Sequence, residues 1–208
     1  MTGLSMDIST ALNEEIATAE QVSRLIRERR SVFADDYLPE PVPDRVLEEI
    51  LINGTWAPTY KMTEPWRFIV LGDAERERYG GFMADYYRAR LSEADFPAER
   101  YEQAKLYPQK AGALVAIIFR RNQKIEISEW EELAAVACAV QNMYLSCTAY
   151  GLGGYWDTCG AAQAYGEHLS LEDNERSLGF FYMGYYDRQL FKSKKRRTPL
   201  HKKLERLP

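Results

Sequence analysis

Histidine and cysteine are scarce in this chain. Its 208 residues include only two histidines, His168 and His201, and only three cysteines, Cys138, Cys147 and Cys159. A zinc site therefore has almost no ligands to draw on, and no metal is expected. An odd set of widely spaced cysteines makes no disulfide framework; the three read as small buried hydrophobes in a reducing compartment. Long apolar runs are missing too. Stretches such as Leu114 to Phe119 are far too short to span a bilayer. Met1 to Ser9 has neither the basic start nor the apolar run of a signal peptide. A cytoplasmic protein without a membrane partner is expected. Positive charge is not in excess either: 27 Lys and Arg against 31 Asp and Glu leave a net charge of -4. That balance argues against general affinity for nucleic acid.

The usual signatures of protein-borne chemistry are also absent. No P-loop, nucleophile elbow, HExxH or EF-hand pattern occurs. Gly151-Leu-Gly-Gly-Tyr-Trp156 lacks the third glycine of a dinucleotide fingerprint and follows a helical pattern instead of a strand. With no nucleophile to build on, no catalytic side chain is assigned. The chemistry is expected to sit on a cofactor.

What is present is a core and an abundance of rings. Hydrophobic residues reach 46%, enough for one folded domain, and 14 Tyr with 4 Trp suggest large interfaces or a pocket for a flat ligand. Thr18-Ala-Glu-Gln21 has the form of a capping box, predicting a helix that ends near Arg29-Arg30-Ser31. A single domain over residues 18–208 is expected, with residues 1–17 as an N-terminal extension. A second helix should run from Asp44 to a stop at Gly54. Trp56 to Pro65 shows no period and reads as a loop, and Trp66 to Leu71 as a buried strand. Helical spacing returns at Tyr79, Phe82, Met83, Tyr86 and Tyr87. The charged stretch Glu93 to Pro108 reads as a helical excursion or lid. Ala113 to Phe119 and Leu178 to Met183 read as further strands, the latter closed by Gly184. Glu129 to Tyr150 is the strongest helix. Trp130, Leu133, Ala137, Val140, Tyr144 and Cys147 follow one stripe, and so many remaining positions are small and apolar that burial on most sides, at a subunit interface, is expected. Strands and helices mix without strict alternation, which favours α+β.

Four segments stand out together: Arg29-Arg30-Ser31, then Ala57-Pro58-Thr59-Tyr60 with Glu64-Pro65-Trp66-Arg67, then Gly151 to Trp156, then Arg196-Arg197-Thr198-Pro199-Leu200. Each alone has an ordinary structural explanation. In this order and spacing, from about Val22 to Leu200, the chain resembles the nitroreductase family of FMN enzymes.

The resemblance implies a mixed, mainly antiparallel sheet flanked by helices and an intertwined homodimer with FMN at the subunit interface. It assigns Arg29, Arg30 and Ser31 to the phosphate and nearby flavin contacts, and Arg197 to the same phosphate. Forked guanidinium donors suit a near-dianionic phosphate. Tyr60 and Glu64 would reach the flavin from the other subunit. Tyr155, Trp156 and Asp157 would lie near the ring, where Gly153 and Gly154 would let backbone approach it. Glu64 stands where Gln is usual, Met62 where Asn or Ser is usual, and Phe33 where larger members carry lysine. NAD(P)H is the implied co-substrate, with ping-pong delivery of electrons to a small-molecule acceptor such as a nitroaromatic or quinone. A non-catalytic FMN storage or sensor protein, or a specialised flavin enzyme such as a reductive dehalogenase, are the alternatives.

Overall fold

The computed structural model describes residues 8–191 and 197–207. Six helices and four strands follow in the order α1 (Ile8–Glu28), α2 (Asp44–Thr55), β1 (Trp66–Val70), α3 (Asp73–Arg88), α4 (Ala98–Leu106), β2 (Ala113–Arg120), α5 (Glu129–Ala149), β3 (Leu152–Asp157), α6 (Gly160–Ala164) and β4 (Glu175–Tyr185). The strands form one sheet in the order β1-β2-β4-β3, every pair antiparallel. The fold is α+β. Among the described residues, no helix is long and apolar enough to cross a membrane.

Strand β2 shows why its sequence is apolar without alternation. Val115, Ile117 and Phe119 face a cluster built with α2 and α5, while Leu114, Ala116 and Ile118 face a second one built with α3 and α6. Both faces of the strand are covered, so both parities are buried. The second cluster holds most of the tyrosines, including the fully buried Tyr79 and Tyr182.

Several expected boundaries move. Helix α1 spans Ile8–Glu28, so the Thr18 box lies inside it and not at its start. Gly54 is also internal: α2 continues to Thr55, and the missing side chain makes room for Met143 and Phe68. Gly184 is the penultimate residue of β4, where the Tyr37 ring occupies the space a Cβ would need, and the strand starts three residues before Leu178, at Glu175. Helix α5 keeps Leu133, Val140, Tyr144 and Cys147 of its expected stripe on the core, but not Trp130 and Ala137. Trp130 is 68% exposed and Ala137 is exposed, whereas Ala135, Val136, Ala139, Val140 and Met143 point inward. So many small apolar side chains leave the helix without a distinct apolar face. Glu132 helps fix which side faces inward, because its buried carboxylate pairs with Arg121 and accepts the Asn122 N–H.

Candidate functional site

Behind α1 the chain becomes extended and lies along the free edge of β3. Ser31 forms a parallel bridge to Gly154, and Val32 donates its N–H to the Gly154 carbonyl at 3.3 Å. This contact explains the glycines. A Cβ on Gly153 would stand 2.6 Å from the Val32 side chain, and one on Gly154 would stand 2.9 Å from the Phe181 ring. The room beside each missing Cβ is therefore taken by the protein's own side chains. The glycines serve to admit the arm, with Val32 fully buried against them.

The arm carries two of the expected arginines and the serine. The Arg29 guanidinium lies 5.1 Å above the Tyr144 ring, and Arg30 lies 5.7 Å from the Phe191 ring. Tyr144 Oη in turn accepts the Trp156 N–H at 2.7 Å. The structure thus brings Arg29, Arg30 and Ser31 together with β3. Tyr155 points to the tyrosine-rich face, stacked on Tyr182 at 4.7 Å with Phe33 tilted over it at 4.9 Å. Burial pushes its hydroxyl well above the ordinary phenol range, so it stays protonated. Trp156 points to the α5 side, and its indole Nε1–H is buried without a protein partner among the described residues. Asp157 ends the strand; its carboxylate accepts the Cys159 N–H at 3.0 Å. Gly179 opposes this end with φ 99°, a conformation that lets its backbone approach the Asp157 carbonyl.

Tyr60 and Glu64 lie elsewhere. Their loop is strained, with left-handed φ at Lys61 (51°), Met62 (53°) and Glu64 (43°). Glu64 is exposed, and its N–H donates to Thr59 Oγ1 at 3.1 Å. Tyr60 is 56% exposed, with Lys61 Nζ over its ring. The described polar and ring contacts of both residues stay within this loop. Arg67 does not reach back to Glu64; it donates to the buried Glu175 carboxylate at 2.6 Å. Arg197 is exposed at the start of the last described segment, and Arg196 falls outside the described residues.

Sequence reasoning missed two residues that fix the arm. The buried Tyr37 hydroxyl donates to the Val32 carbonyl at 2.8 Å, and the Ala34 N–H donates to Tyr107 Oη at 3.3 Å. A lone tyrosine in a polar loop was the available signal for Tyr37. Tyr107 had been grouped with the excursion. That excursion is α4 with its flanking turns, packed against α3; it returns to the site through Tyr107, while Tyr86 of α3 abuts Gly160. Between the two helices lies a cleft of about 380 Å³ lined by Arg88, Leu91, Phe96 and Tyr101. Tyr79, by contrast, is packing: it stacks on Phe180 at 4.3 Å.

YfhC of Bacillus subtilis (strain 168), provisionally named an NAD(P)H nitroreductase, is 27% identical over 190 residues, covering 90% of this chain and 94% of its own. YdjA of Escherichia coli (strain K12), provisionally named likewise, is 26% identical over 150 residues, covering 71% and 80%. A nitroreductase-like family protein from Bacillus cereus has a solved structure that matches with TM-score 0.72 at 26% identity, covering 89% of this chain and 95% of that one. The FMN-dependent nitroreductase NfnB from Mycobacterium smegmatis, solved in complex with NADPH, also matches with TM-score 0.72, at 19% identity over 92% and 100% of the chains. The sequence profile of the nitroreductase family matches residues 26–185, from the last turn of α1 to the end of β4. The chain belongs to the nitroreductase family.

Proposed function

We propose that this chain is an FMN-dependent NAD(P)H oxidoreductase that reduces electron-poor small molecules and works as a homodimer. The observation that carries the reading is the arm Arg29–Ser31 held on the edge of β3 beside Trp156. Two guanidinium groups and a hydroxyl make a donor set suited to a phosphate monoester. The buried Trp156 Nε1–H, without a partner among the described residues, fits an acceptor supplied from outside them. Arg29, Arg30, Ser31 and Arg197 would hold the phosphate end of FMN. Tyr155, Trp156 and Asp157 would border its ring, and the exposed Tyr60 and Glu64 would approach from the second subunit. FMN, when bound, supplies the two-electron redox chemistry.

The protein's own contribution is position and exclusion of water. The exposed Phe33 ring presents aromatic surface for a flat reactant, and the buried Tyr155 beneath it supports that ring and donates its O–H to Tyr107. Nicotinamide cofactor and acceptor would use this surface in turn, in ping-pong order, with nitroaromatics or quinones as acceptors. The α3–α4 pair is where acceptor choice would be written. Titrating the purified protein with FMN while following flavin fluorescence tests the reading. Saturable quenching at one FMN per protomer is expected; protein that is colourless and leaves added FMN unquenched would overturn it.

A further inference from the structure

The helical excursion is tied to the arm at one point. The 3-10 turn Tyr107–Lys110 that ends the excursion touches the turn Ala34–Asp36 twice. Tyr107 Oη accepts the Ala34 N–H at 3.3 Å, and Lys110 Nζ pairs with the Asp35 carboxylate at 2.6 Å. The same Tyr107 oxygen accepts a hydrogen bond from the Tyr155 O–H at 3.0 Å. Ala34 stands three residues beyond Ser31, and Tyr155 adjoins Gly154, which Ser31 bridges. One hydroxyl therefore joins excursion, arm and β3.

The two contacts are unequal. Both side chains of the Lys110–Asp35 pair are solvated, 42% and 64% exposed, and such pairs contribute little. The phenol node is half-buried, and burial pushes the Tyr107 hydroxyl above the ordinary phenol value. It stays protonated and keeps both bonds across the working pH range. Three donors meet here, Ala34 N–H and two O–H groups, and two bonds are made. Among the described residues the Ala34 amide has no other hydrogen-bond partner, so the node is the polar contact that holds it. Tyr37 holds Val32, which lies between Ser31 and Ala34.

We propose that Tyr107 is a positioning residue for the cofactor: acting through Ala34 and Tyr155, it sets where the Arg29–Ser31 arm stands on β3 and so how well the arm grips the FMN phosphate. The inference rests on the FMN reading above. Its test is Tyr107→Phe, which keeps the ring beside Tyr182 and removes only the oxygen. FMN and riboflavin dissociation constants are measured by flavin fluorescence for wild type, Tyr107→Phe and Lys110→Ala.

Tyr107→Phe is expected to weaken FMN about five- to tenfold, the loss of one hydrogen bond's worth of positioning, and riboflavin by less than about twofold. Lys110→Ala should leave both constants near wild type. A merely structural role would weaken both flavins equally or neither. Either of those results, with wild type binding FMN normally, overturns this inference and leaves the functional reading intact. Wild type that does not bind FMN overturns both.

Discussion

Arg29 and Arg197 carry the sharpest chemical expectation, because each is assigned to a phosphate that riboflavin lacks. Arg29→Ala and Arg197→Ala should each weaken FMN by about 1.5–3 kcal/mol, the range for charge-assisted hydrogen bonds, while riboflavin binds wild type and variants alike. Fluorescence titration of both flavins checks this. An Arg197→Ala protein with unchanged FMN affinity would make the C-terminal tail solvated charge and nothing more. Glu64 is the most telling departure from the family pattern. It is exposed on a strained loop, and the arginine nearest in sequence, Arg67, is committed to Glu175. If Glu64 faces the flavin of the second subunit, its charge opposes the negative charge gained on reduction. Glu64→Gln should then raise the flavin midpoint potential by roughly 20–40 mV for a two-electron couple. Spectroelectrochemical titration of both proteins at one pH decides it: superimposable curves would mean that the carboxylate never meets the ring.

The strands β1, β2 and β4 are pinned at one end by a buried carboxylate. Glu175 accepts from Arg67 and Arg120, each at 2.6 Å, and from the Glu172 N–H at 3.1 Å. Burial alone would raise its pKa, but the Glu172 amide and the two guanidinium groups outweigh burial and hold it below the ordinary carboxylate value. A depressed folded-state pKa contributes stability above the unfolded value, and that stability is lost as pH falls through the folded one. Denaturation midpoints should therefore drop on acidification below the ordinary Glu range. The drop should be shallower in Glu175→Gln, which has no proton to take up there. Equal acid slopes in the two proteins would remove Glu175 from the account.

Elements whose burial follows a simple rule were legible in the sequence. The unbroken apolar run of β2 and the helical spacing of α3 both stand where their patterns predict. Those set by tertiary contact were not. Gly54 and Gly184 look like stops but are internal, because Met143 and Tyr37 occupy the space of the missing side chains. The inward face of α5 was only partly legible because small apolar residues surround it. At the site, Arg29-Arg30-Ser31 and Tyr155-Trp156-Asp157 were readable as motifs, yet nothing local revealed that Val32 fills the Gly153 notch or that Tyr37 and Tyr107 hold the arm.

Taken whole, one protomer leaves much apolar surface uncovered. Helix α1 is 21 residues long, yet Ile16, Val22 and Ile26 are half-exposed or more, and Trp56, Met62 and Trp130 are more open still. A helix gains most of its stability by burying a face against something. The proposed dimer supplies that partner and brings Tyr60 and Glu64 to a flavin. Sedimentation at micromolar concentration should give a dimer; a folded, FMN-loaded monomer would contradict it.

The account stands on electron transfer from a nicotinamide cofactor to FMN held by this chain. Purified, FMN-loaded protein mixed anaerobically with NADH and, separately, with NADPH should lose its visible flavin absorbance with at least one of them. Admitting a quinone or nitroaromatic should then restore the absorbance. Flavin that remains oxidised under both cofactors, in protein shown to hold FMN, would contradict the proposal and leave a flavin-binding protein without this activity.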